Sequence, residues 1–264
     1  RGLGDVYKRQ AFNEICEDGG EAWAQTANYP HVRFGLFAPR VEVWETEQEF
    51  IDDRQTTCPS ISTPTWDHSE FSSIEIVQSS ARKVHITLLS ARIDTEGNEI
   101  SKSNLLHIMS EKDGHSGTLA RSSWVPQPPT EAPEAEAAAL EALAEYIEAF
   151  NEICEDGGEA WAKTLNYPHV HFDADGQVEV WETEQELIDS MSCEAILSLI
   201  PNWDHSEFDS IEIVQRGPSK VHITLVATQY DAAGKALGSF ETFFIMTEKE
   251  GHWGTQARSS YASL

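Results

Sequence analysis

Basic side chains are scarce in this sequence. Eighteen Lys and Arg stand against 45 Asp and Glu in 264 residues, a formal net charge of −27. A chain this acidic repels phosphate backbones and anionic headgroups, so neither nucleic acid nor a membrane surface is an expected partner. Cysteine is scarce too. Cys16, Cys58, Cys154 and Cys193 form no C-x-x-C pair, which leaves a zinc ribbon or a thioredoxin-type site without support. Cys16 and Cys154 fall on an apolar helix stripe, so buried free thiols are expected. Free thiols favour a reducing compartment, with the cytoplasm as the favoured location. No apolar run approaches 18 residues, so there is no candidate membrane-spanning helix. Neither a Gly-rich phosphate loop nor a G-x-S-x-G elbow occurs.

What is present is a repeat. Ala11–Val32 returns at Ala149–Val170, and the two stretches differ only at Gln25 against Lys163 and at Ala27 against Leu165. The similarity runs on to the C-terminus, so one domain is written twice. Arg1–Gln10 has no counterpart in the second copy and reads as a non-native leader. Val125–Pro133 holds four of the eleven prolines and reads as a short, stiff linker. We therefore expect a leader over residues 1–10, a truncated first domain over 11–124, a linker over 125–133 and a second domain over 134–264. One window breaks the repeat: Arg54–Thr65 shares only Pro64 with Met191–Asn202. Its Thr- and Pro-rich composition suits a helix poorly.

In the second copy, Leu140, Leu143, Ile147, Phe150 and Cys154 are spaced as one helical stripe. Gly157-Gly158 ends that helix. A short helix over Glu159–Leu165 follows and is broken at Asn166-Tyr167-Pro168. Strands are expected near His169–Phe172 and Gln177–Glu182. Thr183 with Glu186 then opens a third helix as a capping box, with Leu187, Ile188 and Met191 inward. Four strand-like runs close the copy: Ser210–Gln215, Lys220–Tyr230, Gly238–Thr247 and His252–Tyr261. The predicted class is α+β, each unit carrying about three helices on a mostly antiparallel sheet.

This element order, the NYPHV…VEVWET segment and the terminal HWGTQARSS strand resemble the nuclear-transport-factor-2-like, or SnoaL-like, superfamily over both copies. The resemblance implies a cone-shaped, cystatin-like unit with a pocket between helices and concave sheet. It also implies pairing through the outer sheet face. The function it implies is binding of a small molecule in a hydrophobic pocket, with no assignable reaction. The alternative is an acid–base enzyme of isomerase, cyclase, dehydratase or hydrolase type acting on a small apolar or carbonyl compound. The last strand also resembles the C-terminal His-His-Ser-Ser strand of iota-class carbonic anhydrases. It has both serines but Ala257 and Arg258 where His would stand, so a CO2-hydrating lyase is the least favoured reading.

His169 and its equivalent His31 follow the Tyr-Pro break, a position near the pocket mouth if the resemblance holds. Such a His is either a general base or a structural residue bonded to a helix end. Arg258 and Arg121 lie on the last strand of each copy. Strict alternation puts Arg258 with Gln256 and Ser260, and Thr255, Ala257 and Ser259 opposite. Arg258 is either an anion clamp or the partner of Glu182 or Glu241. His222 and His85 face either the pocket or an outer interface. Ligand-contacting candidates are Trp181, Trp203, His222, Tyr167 and Ser260. His169 and His171 lack a third ligand at suitable spacing, so no metal is expected, and no cofactor. Finally, the nine-residue linker reaches at most about 30 Å. That tether leads us to expect an intramolecular pseudo-dimer.

Overall fold

The computed structural model describes residues 11–35, 40–54, 63–124 and 133–261. The leader, most of the window that breaks the repeat and nearly all of the linker lie outside these residues. The chain divides into two compact units, Arg1–Pro126 and Gln127–Leu264.

In the first unit, helical segments Ile15–Asp18 and Glu21–Ala24 precede strands β1 (Ala27–Phe34) and β2 (Val41–Trp44). The helix Glu47–Arg54 follows, then β3 (Trp66–Ser79), β4 (Lys83–Asp94), β5 (Glu99–Lys112) and β6 (His115–Trp124). The strand order is β2-β1-β6-β5-β4-β3. β1 and β6 run parallel, and the other neighbours are antiparallel. Trp44, Phe50 and Ile51 pack with Ala24, Trp23 and Tyr29 on the helix side.

The second unit opens with the long helix Pro133–Asn151, then short segments Ile153–Asp156 and Glu159–Ala162. β7 (Leu165–Phe172) and β8 (Val178–Trp181) come next, then the helices Glu184–Ser190 and Cys193–Leu199. β9 (His205–Gly217), β10 (Lys220–Tyr230), β11 (Ala236–Lys249) and β12 (His252–Ser260) complete the unit. The order β8-β7-β12-β11-β10-β9 repeats that of the first sheet, again with one parallel pair, β7 with β12. Gly254 permits that pairing, because a Cβ there would stand 2.9 Å from the Thr164 carbonyl oxygen.

Alternation sorts the faces as expected. Val221, Ile223, Leu225 and Ala227 of β10 join Phe244 and Met246 of β11 in the helix-side core. Thr183 caps its helix by accepting from the Glu186 amide at 3.2 Å, while Glu186 Oε2 accepts from the Glu182 amide at 2.9 Å.

Several expectations are corrected. The long helix buries the predicted stripe only in part: Leu143 is buried and Ile147 and Phe150 pack against the core, but Leu140 is 37% exposed, and Ala135, Ala139, Ala142 and Tyr146 complete the inner face. Alanines on the inner face let the helix axis approach the sheet. β7 begins at Leu165, four residues ahead of the predicted strand, and runs through a cis Tyr167–Pro168 bond. The helix Cys193–Leu199 was not predicted; Ser192 caps it by accepting from the Ala195 amide at 3.1 Å. β12 does not alternate strictly. Ala257 pairs with Ile245, but Thr255 pairs with Met246, so Gln256 is an extra residue in a bulge. Thr255 thereby joins Arg258 on the helix-side face, and its Oγ1 donates to Met246 Sδ at 3.4 Å.

The cysteines depart furthest from expectation. Cys154 and Cys193 form a disulfide, and Cys16 is disulfide-bonded too. Cys154 lies past the end of the long helix on the surface, so it is not a buried free thiol. The reason for favouring a reducing compartment falls with that expectation.

Candidate functional site

A cavity of about 60 Å³ opens in the second unit between the helices and the sheet. A single water needs roughly 10–15 Å³, so the space has room for a few waters or a small group of a ligand. Tyr146, Ile147 and Phe150 of the long helix form one wall. Phe208, Phe240 and Phe244 supply the sheet side. Met191, Ile196, Leu199 and Ile200 close a third side, from the helix Cys193–Leu199 and its flanks. Ring packing fixes the aromatic wall: Tyr146 meets Phe244 edge-on at 5.2 Å, and Phe150 meets Trp203 at 5.5 Å.

The polar groups gather where β11 meets β12. Thr242 pairs with Ser260 and Phe244 with Arg258, and all four line the cavity. Arg258 Nη1 donates to the Tyr146 hydroxyl at 3.3 Å, and its guanidinium carbon lies 5.7 Å from the Trp161 ring centroid. Its Nε is buried without a hydrogen-bond partner. No carboxylate reaches Arg258 within 4.0 Å among the described residues, and the suggested ion pair with Glu182 or Glu241 does not form.

His169 shares the helix-side face with Arg258, since β12 Arg258 pairs with His171 of β7. It does not line the cavity and has no exposed surface. Its Nδ1 is 2.9 Å from the Thr255 carbonyl oxygen. A carbonyl only accepts, so Nδ1 carries the proton and Nε2 is bare; that Nε2 is buried and unpartnered. Trp181 stacks on the ring at 5.8 Å. Burial, then the nearby Arg258 charge, lowers the His169 pKa to about 3. His171 instead pairs with Glu179 at 3.2 Å and holds that carboxyl below its usual range.

The other sequence candidates separate by position. Ser260 lines the cavity with Arg258. Trp203 stands behind the wall, donating Nε1–H to Ser206 Oγ at 2.9 Å. Trp181 lies under His169. The Tyr167 hydroxyl donates to the Ala162 carbonyl at 2.9 Å, and burial, then Glu184, raises its pKa. His222 lies on the face opposite the cavity, beside Phe243 at 5.5 Å and with Nδ1 3.1 Å from Gln215 Oε1. In the first unit His31 copies His169, with Nδ1 2.9 Å from the Thr118 carbonyl oxygen and its ring stacked on Trp44. Arg121 places its guanidinium carbon 4.6 Å from the Trp23 ring centroid. Sequence reasoning missed Tyr146, Phe240 and Phe244 as lining residues. For Tyr146 a signal existed, because it stands one turn before Phe150. Among the described residues, no group of three or more His, Cys, Asp or Glu is arranged to hold a metal ion.

No family model and no curated protein matches this chain. Solved structures do. A protein of unknown function with a cystatin-like fold from Nostoc punctiforme matches at 15% identity and TM-score 0.40, covering 48% of this chain and 90% of that one. Aln2 from a Streptomyces species matches at 15% identity and TM-score 0.39, over 49% and 91% of the two chains. An NTF-2-like protein of unknown function from Shewanella oneidensis matches at 13% identity and TM-score 0.36, over 48% and 98%. Each of these structures covers about half of this chain, which carries helical segments on a six-stranded mixed sheet twice in tandem.

Proposed function

We propose that the second unit binds a small, largely apolar molecule in the cavity between its long helix and its sheet. The observation that carries this reading is the cavity itself, walled by Phe150, Phe208, Phe240 and Phe244 and by the Ile196–Ile200 side. Apolar, aromatic-lined clefts with a few grouped polar atoms are the usual form of small-molecule sites. The acid–base alternative with His169 as base is less well supported. A general base works best with a pKa near the operating pH, whereas His169 is held near 3 and does not line the cavity. No reaction is assigned.

Titration with a neutral, environment-sensitive apolar dye tests the reading. One dye should bind per chain, and Ala227→Leu, which fills the cavity from β10, should abolish binding. Equal binding by both proteins, or none by either, overturns the proposal.

A further inference from the structure

We infer that the ligand of this cavity is a small monocarboxylate whose anionic end is taken by Arg258, an inference that rests on the cavity being a binding site. The argument starts from the cost of the guanidinium. A cation set into an apolar wall loses hydration and is retained at low cost only when a counter-charge or a full set of acceptors meets it. Arg258 has neither. Its contacts are one 3.3 Å hydrogen bond to a neutral hydroxyl and a distant ring face. Its Nε–H is buried with nothing to accept it. This occurs in a chain with 45 acidic residues, where a carboxylate partner would be easy to supply.

Glu179 of β8, two strands from β12, feels the Arg258 charge but is engaged directly by His171 at 3.2 Å. A carboxylate in direct contact with Arg258 is therefore left to whatever enters. A guanidinium presents a planar fork of donors that fits two carboxylate oxygens. The Tyr146 hydroxyl holds one arm of the fork from the long helix. The hydroxyl-bearing pair Thr242 and Ser260 stands beside Arg258 on the same sheet face.

The rest of the cavity sets the body of the ligand. The walls beyond the Arg258 end are phenylalanines and branched aliphatics, which accept a ring or short branched chain and leave a second charge unmatched. At about 60 Å³, short of the roughly 150 Å³ that takes benzene, the space accepts a short chain or the edge of one ring, with the remainder of the molecule at the mouth.

Benzoate and benzyl alcohol, similar in size and differing in charge, test this by calorimetric titration of the full chain. Wild type should take benzoate at least tenfold more tightly than benzyl alcohol. Arg258→Met, close in length and apolar, should bring the two within twofold of each other, and Arg258→Lys should keep a reduced preference for benzoate. Equal affinities in wild type, or a preference that survives Arg258→Met, overturn the inference. Should Arg258→Met not fold, the wild-type comparison alone decides. Neutral-dye binding without benzoate binding overturns the carboxylate and leaves the cavity reading standing; failure of the dye as well overturns both.

Discussion

Cys154 and Cys193, 39 residues apart, are joined with their Cα atoms 4.7 Å from each other. The bond links the short segment Ile153–Asp156, just past the long helix, to the start of the helix Cys193–Leu199. That second helix buries only Ile196 in the core, yet with Ile200 it walls the cavity. Closing a loop of this length restrains the unfolded chain by about 4 kcal/mol in the chain-entropy view. Cys154→Ala with Cys193→Ala should therefore lower unfolding free energy by about 2–4 kcal/mol in urea. It should also weaken dye binding, because the wall loses its anchor. A double variant that binds dye as wild type does would show that Ile196 alone holds the wall.

The pH response of stability follows from His169. Its folded pKa of about 3 lies below the ordinary value of 6.5. The neutral form is the one that folds, so its contribution is complete above pH 6.5 and is lost as pH falls toward 3. The expected slope is about 1.4 kcal/mol per pH unit across that window. His85, also lowered well below its ordinary value by burial, acts in the same direction. Urea midpoints measured at pH 7 and pH 5 should differ less in His169→Asn than in wild type.

The second unit is expected to be the more robust one. Its core gathers the long helix, Trp161, Leu187 and the inner faces of β10 and β11, whereas Ser116 stands in the first unit where Trp253 stands in the second. Residues 133–264 expressed alone should melt above residues 1–126 expressed alone. The reverse order would refute this.

Pairing of the two copies within one chain is our further expectation. Phe243 and Ile245 alternate with Phe244 and Met246 of the helix-side core, and Leu106 and Ile108 hold the matching positions in β5. Sedimentation should show a monomer. Phe243→Asp with Ile245→Asp should lower the melting of both units, and an effect confined to the second would refute the pairing.

The sequence shows the fold more clearly than it shows the site, for physical reasons. Strand alternation along Val221, Ile223 and Leu225 reports burial directly, because two residues make a full period. The long helix misleads in part because alanines fill much of its inner face beside Leu143 and Tyr146, and hydrophobic size points to Leu140 as well. The depth of His169 depends on Trp181 from another strand, and the disulfide depends on a 39-residue return of the chain. Arg258 is legible as a candidate cation. That no carboxylate reaches it within 4.0 Å among the described residues is a three-dimensional fact.

The bulge at Gln256 sets the phase of the last strand. Its side-chain amide donates to the Asn166 carbonyl at 3.1 Å and to the Pro168 carbonyl, which fixes this residue as the one the strand skips. The same skip recurs at Leu119 in the first unit. The strand therefore reads like a sentence whose meaning depends on one silent letter. Were Gln256 instead taken into the ladder opposite Ile245, every chemical group of the cavity would stay in the chain, yet Ala257 would fall opposite Phe244 and alanine would take the inward place of the cation.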